Sequence, residues 1–342
     1  MTGPGTRRVT AAMVAERAGT SVSTVSLVVN GKSRGRVSAV ITERVRDAVA
    51  DLGYVVDHVA SSLARGSTDL VVLLAPDLTN PFFGRVVSGI REALGEHHQL
   101  MQSVITGGEQ PTAGSVRRVT AFRPAGLLVH APSEDFLDDL DPGGPPVVLL
   151  DAPGFADRAA TVTFDLRPGV RELVRHLAGA GHRRIAYLDG STPSATFTLR
   201  RGLLRDLGAE HGLTVLGTGP ADTVAAGLTL DAAATAAAAA LPGWRAAGVT
   251  AVVAAADTLA YGVLAAAREA GLAVPGDLAV AGFDDLPYSR VTAPALTSVA
   301  LPAEELGRAA ARRLTDLLGG HRTAATGPLP TGLAVRGSTG PG

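Results

Sequence analysis

Three kinds of hydrophobic pattern follow one another along the chain. Near the amino end, apolar residues recur every three or four positions: Val14, Ala15 and Ala18, then Val25, Val28 and Val29, then Val45, Ala48, Val49 and Leu52. That period is helical and predicts three short helices, the second over residues 21–29 and the third over Ala39–Leu52. Gly19 separates the first two, where only glycine takes a positive φ without steric cost. Ser21 stands where an N-cap hydroxyl would accept a free N–H of the second helix, and Gly53 is placed to stop the third. Two short helices about a glycine turn, the second opening on small polar residues, have helix-turn-helix spacing. The same spacing serves any small helical hairpin.

From Leu70 onward, short continuous apolar runs alternate with helical stretches. Strands are predicted at 70–75, 100–106, 126–130, 147–151 and 161–164, with helices at 83–97 and 115–122 between them. A second round places helices at 169–180, 199–211, 231–241 and 258–270 and strands at 184–188, 213–216, 251–254 and 278–281. A strand at 296–300, a helix over Ala303–Leu318 and a last strand at 333–335 follow. Continuous apolar strands alternating with helices imply parallel sheets covered on both faces. Two such rounds imply two doubly wound lobes. The Gly/Pro/Ser-rich tail, 337–342, is expected to be disordered.

Composition narrows the classes of function. The 342-residue chain has no cysteine, which excludes disulfides and thiolate metal sites and fits a reducing compartment. Its eight histidines show no metal-ligand spacing, and neither a cofactor nor a metal is expected. Charge is uneven: residues 1–68 carry nine Arg or Lys against five Asp or Glu, whereas the remainder carries 22 against 27. A positive amino-terminal segment on an acidic body is expected when only that segment meets phosphate. Residues 1–8 lack the apolar core of a secretory signal, and no apolar run reaches membrane-spanning length uninterrupted. A cytoplasmic, nucleoid-associated protein without membrane contact is expected. No Gly-x-Gly-x-x-Gly after a strand, P-loop or nucleophile elbow is present, so an enzyme is not expected and no catalytic residue is assigned.

Specific residues sharpen the helix-turn-helix reading. Val14-Ala15, Ala18-Gly19, Ser21, Ser23-Thr24-Val25-Ser26, Val28 and Asn30-Gly31 are followed by Val37-Ser38, Leu52-Gly53-Tyr54, Val59-Ala60 and Leu63. At this spacing the run resembles the DNA-binding headpiece of the lactose-repressor (LacI/GalR) family of bacterial transcription regulators. The resemblance implies a small all-α helix-turn-helix headpiece, residues 1–56, and a hinge helix and linker, 57–68. It further implies an α/β body, 69–342, of two doubly wound parallel-sheet lobes like those of periplasmic binding proteins. The first lobe would hold 69–163 and 293–320, the second 164–292 and 321–342. The chain would cross between them near 164–165, 290–294 and 321–330.

The family's mechanism implies a homodimer on a pseudo-palindromic operator in double-stranded DNA, repressing transcription under control of a small, sugar-like effector. There is no leucine heptad at the carboxyl end, which favours a dimer over a tetramer. Residues expected at DNA are Thr10, Ser21, Val22, Ser23, Thr24, Ser26, Leu27, Asn30 and Tyr54, with Arg34 and Arg36 on phosphates. His58, Ala60 and Leu63 would belong to the hinge, Leu63 prying open a minor-groove step. Leu27 stands where the family frequently has arginine, so the half-site should differ there. Effector residues expected from strand ends and from the resemblance are Asp77, Phe82, Phe83, Asp151, Arg200, Asp257 and Asp284, with Phe82, Phe83 and Arg200 implied by the resemblance and the register of Arg200 and Arg201 open by one residue. Ala256 and Leu301 replace a frequent asparagine and glutamine, implying an effector less hydroxylated than a simple pyranose, or weakened binding. The rival reading is a solute-binding protein without a transcriptional role.

Overall fold

The computed structural model describes residues 9–29, 31–54, 68–76, 80–105, 110–138, 140–141, 143–321 and 327–340. They fall into two compact units, Met1–Thr68 and Asp69–Gly342. In the first, α1 (Ala11–Ala18), α2 (Val22–Val29) and α3 (Ala39–Leu52) enclose a core of Val14, Ala15, Ala18, Val25, Val28, Val45 and Ala48. Gly19 takes φ 62° between α1 and α2, and the Arg44 guanidinium lies over it where a Cβ would fall. The Ser21 hydroxyl accepts the Thr24 amide at 3.2 Å, the expected cap. Ser38 caps α3 and Gly53, at φ 61°, ends it.

The second unit opens with β1 (Leu70–Ala75), α4 (Pro81–Leu94), β2 (Gln99–Val104), α5 (Ala113–Thr120), β3 (Gly126–His130), β4 (Val147–Leu150) and β5 (Ala160–Val162). Its strands form a five-stranded, all-parallel sheet in the order β2-β1-β3-β4-β5. The chain continues through β6 (Phe164–Asp165), α6 (Arg167–Gly179), β7 (Arg184–Gly190), α7 (Ala195–Glu210), β8 (Thr214–Leu216) and β9 (Val224–Ala226). Then come α8 (Leu230–Ala246), β10 (Ala251–Ala254), α9 (Asp257–Glu269), β11 (Ala279–Asp284), β12 (Thr297–Ala300), α10 (Ala303–Leu318), β13 (Leu329–Pro330) and β14 (Gly332–Ala334). The second sheet runs β14-β12-β11-β10-β7-β8, with β9 also on β7, and is parallel except at the β12–β14 pair. Helix α8 continues through Pro242 beyond the predicted 241 and buries Trp244, the only tryptophan.

Two expectations are corrected. Residues 293–300 do not belong to the first lobe, because β12 pairs in parallel with β11 in the second sheet. The middle crossing therefore lies between Ala300 and Ala303 rather than near 290–294. The tail is not disordered through its length either: Gly337–Thr339 forms a 3-10 turn with Ser338 and Thr339 buried. Ser338 Oγ accepts the Thr297 amide at 2.8 Å and donates to Val280 O at 2.5 Å, stapling β12 and β11 together. A three-residue turn held by its hydroxyls carries no periodic apolar signal of its own.

Helix α10 returns to the first lobe and packs on α4 and over β3, β4 and β5. The crossing is close because both helices present glycine. A Cβ on Gly89 would lie 1.9 Å from Glu304 O, and one on Gly307 would lie 2.0 Å from Val86 O. Both obstacles are backbone, which cannot swing aside. Alanine is the better helix former by about 1 kcal/mol, yet Gly89→Ala should destabilise by about 1–3 kcal/mol through overpacking. A urea midpoint that does not fall would contradict this packing.

Candidate functional site

Strand ends from both sheets converge on one cavity of about 90 Å³. Pro76 follows β1, His130 and Ala131 close β3, Asp151 follows β4, Ala256 follows β10 and Asp284 ends β11. Carboxyl ends of parallel strands are where doubly wound sheets hold ligands. Three of these residues adopt a positive φ without being glycine: Ala131 at 41°, Asp151 at 46° and Asp284 at 109°. Such conformations cost of order 1–3 kcal/mol each and persist at sites that the surrounding structure over-determines.

Arg200 lies at the centre, on α7 and buried. Its Nη1 donates to Ala255 O at 2.6 Å and to Asp284 Oδ1 at 3.3 Å. The guanidinium carbon lies 5.1 Å from the Phe283 ring centroid and 5.7 Å from that of Phe197. Its buried Nε has no protein partner. Burial raises the Asp284 carboxyl to about 6, opposed chiefly by Arg200. Burial also raises Asp151, again against the pull of Arg200. Thr196, at the start of α7, donates to Asp151 O at 3.1 Å and so ties a helix of the second lobe to the end of β4.

His130 was not among the expected residues. It is buried between the rings of Phe82 and Phe83, at centroid distances of 5.8 and 4.9 Å, and neither ring nitrogen has a protein partner. Burial first and Arg200 second push it down to about 3, so the imidazole is neutral at physiological pH. A polar residue at the end of β3 was findable by the same strand-end rule that picked Asp151. Gln110, Thr196 and Phe197 also line the cavity without having been expected, because they sit on connections and a helix start.

The cavity brings together five of the seven expected effector residues: Phe82, Phe83, Asp151, Arg200 and Asp284. Both phenylalanines also belong to the main core. Asp77 lies outside the described residues. Asp257 is a correction: it is fully buried and does not line the cavity. Its Oδ2 accepts the Leu286 amide at 2.8 Å and the Ser289 hydroxyl at 2.6 Å, and Ser298 Oγ hydrogen-bonds Oδ1 at 2.6 Å. Gly282 leaves it room, since a Cβ there would lie 2.4 Å from Oδ1. Asp257 thus anchors the turn after β11 to β12, a contact made across more than twenty residues of chain and invisible to local spacing. Ala256 lines the cavity, whereas Leu301 is buried and is not among the lining residues. Of the arginine pair, Arg200 lines this cavity and Arg201 pairs with Asp189.

In the headpiece, Ser21, Val22, Ser23 and Ser26 are exposed on α2 and its cap, while Thr24 and Leu27 are half-buried. Ser21 Oγ lies 2.9 Å from both Ser23 Oγ and Thr24 Oγ1, so three hydroxyls cluster at the start of α2. Helix α2 carries no acidic residue. Thr10 is exposed and caps α1, accepting the Met13 amide at 3.4 Å. Arg34 and Arg36 are exposed in the turn before α3, and Tyr54 is half-buried against the headpiece core. Asn30, His58, Ala60 and Leu63 lie outside the described residues.

A glycine-turned helix pair with an uncrowded polar start, joined in one chain to a two-lobed body with a strand-end cavity, defines a ligand-responsive DNA-binding regulator. The comparisons agree. Residues 10–57 match the model of bacterial regulatory proteins of the lacI family, and 174–339 match that of a periplasmic-binding-protein-like domain. The HTH-type transcriptional regulator GalS of Salmonella typhimurium is 32% identical over 318 residues, covering 87% of this chain and 86% of GalS. The structure of the Lac repressor dimer bound to operator and the anti-inducer ONPF superposes with a TM-score of 0.81 at 26% identity, covering 98% of this chain and 100% of that one. That of the transcriptional regulator CelR in complex with cellobiose gives 0.67 at 29%, covering 97% and 100%. The chain belongs to the LacI family of transcriptional regulators.

Burial and the neighbouring Asp284 raise Asp257 from 3.8 to about 8, against the hydrogen bonds it receives. The folded state therefore holds this proton more tightly than the unfolded chain does. The stability so contributed is complete below the unfolded pKa of 3.8 and is lost as pH rises through about 8. Asp257→Asn, which mimics the protonated form, should reduce the fall in melting temperature between pH 5 and pH 8.5. Equal falls in both proteins would show that Asp257 does not titrate in this window.

Proposed function

We propose that the chain represses transcription as a homodimer on a pseudo-palindromic operator, releasing or gripping it as a sugar-like effector occupies the cleft. The observation that carries this reading is the start of α2, where three clustered hydroxyls and exposed Val22 present a surface without acidic side chains. A helix with that start suits the major groove: hydroxyls pair with base edges and valine with thymine methyls. Arg34 and Arg36 supply phosphate contact, and His58, Ala60 and Leu63 the hinge. Effector binding acts by differential affinity for two arrangements of the lobes, which bounds the size of the switch. Among the described residues no helix is long and apolar enough to cross a membrane, and the nucleoid is the proposed location.

Two features support a sugar-like effector. Carboxyl, guanidinium and imidazole groups sit beside the rings of Phe82, Phe83 and Phe197, a polar rim against an apolar wall. Ala256 offers no hydrogen bond at its place on that wall, in keeping with a ligand carrying fewer hydroxyls there. A solute-binding role without DNA would leave the uncrowded start of α2 without purpose.

Removing residues 1–68 should abolish selection of a DNA site while leaving ligand affinity in the remaining body unchanged. In the full chain, Arg34→Ala and Arg36→Ala should weaken binding to every sequence alike and each lower the slope of log affinity against log salt by about 1. A full-length chain without sequence preference in a random oligonucleotide library would overturn the reading. Leu27→Arg should shift the selected half-site towards guanine at one position; an unchanged selection would mean that this residue does not read bases.

A further inference from the structure

The cavity described above is one of two adjoining compartments. Gln110, Thr192, Ser194 and Phe197 line it and also line a second compartment of about 370 Å³. The outer one is the more polar of the two: Asp189, Arg201 and Glu134 line it with exposed Ser191, Thr198 and Thr223. Asp189 is buried, accepts the Gly190 amide at 2.9 Å and pairs with Arg201, whose side chain remains 28% exposed. Five donors project from a guanidinium, and Asp189 occupies only one edge of this one.

Size and charge together restrict what fits. The inner compartment, at about 90 Å³, falls below the usual range of roughly 300–1,000 Å³ for ligand clefts, and only with the outer one does the site reach it. Each compartment sets one guanidinium against two carboxyl groups: Arg200 against Asp151 and Asp284, Arg201 against Asp189 and Glu134. An anionic ligand would therefore be desolvated beside cations already neutralised, and a cationic one would share each compartment with a guanidinium. An uncharged ligand whose hydroxyls lie away from Ala256 meets neither penalty. The shared Phe197 offers an aromatic wall at the junction, suited to the C–H face of a sugar ring.

We propose that the effector is an uncharged glycoside of disaccharide size, with one ring in the inner compartment and the second in the outer one against Arg201. This rests on the reading that the cleft binds the effector. The test titrates the full-length protein by calorimetry with cellobiose, maltose, lactose and trehalose, and with glucose, galactose and glucose 6-phosphate. One neutral disaccharide should bind at least about tenfold more tightly than its own monosaccharides. Ala225→Trp, which fills the outer compartment without removing a charge, and Arg201→Ala should each erase most of that advantage and change monosaccharide binding less than twofold. Melting curves accompany Arg201→Ala, because it leaves buried Asp189 unpaired, and Ala225→Trp carries the test if that variant unfolds.

A monosaccharide or glucose 6-phosphate bound as tightly as every disaccharide would overturn the proposal, as would a disaccharide advantage that survives Ala225→Trp. Absence of binding across the whole panel would overturn it too. Selection of DNA sequences by the same preparation separates the two failures. Retained sequence preference leaves the regulator standing and removes only the ligand class, whereas lost preference removes the regulator reading itself.

Discussion

The body is arranged around a buried cation. Arg200 is drawn out of water at the meeting of two sheets, and burying a charge costs several kcal/mol unless the surroundings answer it. They answer it with Ala255 O, the Asp284 carboxylate and two aromatic rings, contributed by the ends of β10 and β11 and the start of α7. The same charge sets its neighbours. It holds Asp284 and Asp151 nearer to ionised than burial alone would allow, and it helps keep His130 neutral. A site built this way is preorganised but not saturated, since the Arg200 Nε and both nitrogens of His130 have no protein partner. Buried polar atoms left so are costly, and a ligand that pairs them recovers part of that cost.

A second polar knot lies one layer deeper and links the cavity to the crossings between lobes. Asp257 gathers the Leu286 amide and two serines, Ser298 in turn accepts the Asp285 amide at 3.0 Å, and Asp285 pairs with Arg336 at 2.5 Å. Asp285 O also accepts Arg85 Nη1 at 3.2 Å, and Arg85 lies on α4 in the first lobe. Asp284, which lines the cavity, and Asp285, whose carbonyl meets Arg85 of the first lobe, are therefore adjacent residues held in positive-φ conformations.

Much of this was legible in the chain. The glycine at 19, the hydroxyl at 21 and the apolar faces of three helices are local features, and α3 appears over the predicted residues. Strands such as Leu70–Ala75 and Ala251–Ala254 appear as predicted because a parallel strand buried on both faces is a continuous apolar run. Asp151 and Asp284 follow from asking which polar residues end such runs, whereas Arg200, on a helix, was indicated by the family resemblance. His130 satisfied the same question, but a histidine beside two phenylalanines reads as well as core filling. Asp257 failed for the opposite reason. It starts a helix after a strand, as a ligand residue would, and only its three distant partners turn it inward.

By itself, then, the order of residues determined the class: period and capping chemistry act within a few positions, so the helix pair and the alternation of strands and helices follow from local rules. Tertiary structure alone decided to which sheet Thr297–Ala300 belongs, that the tail staples it there, and which arginine of the pair enters the cavity. Those outcomes depend on hydroxyls and charges meeting across tens to hundreds of residues. A buried polar group must find a partner wherever the fold supplies one, and no local pattern records where that is.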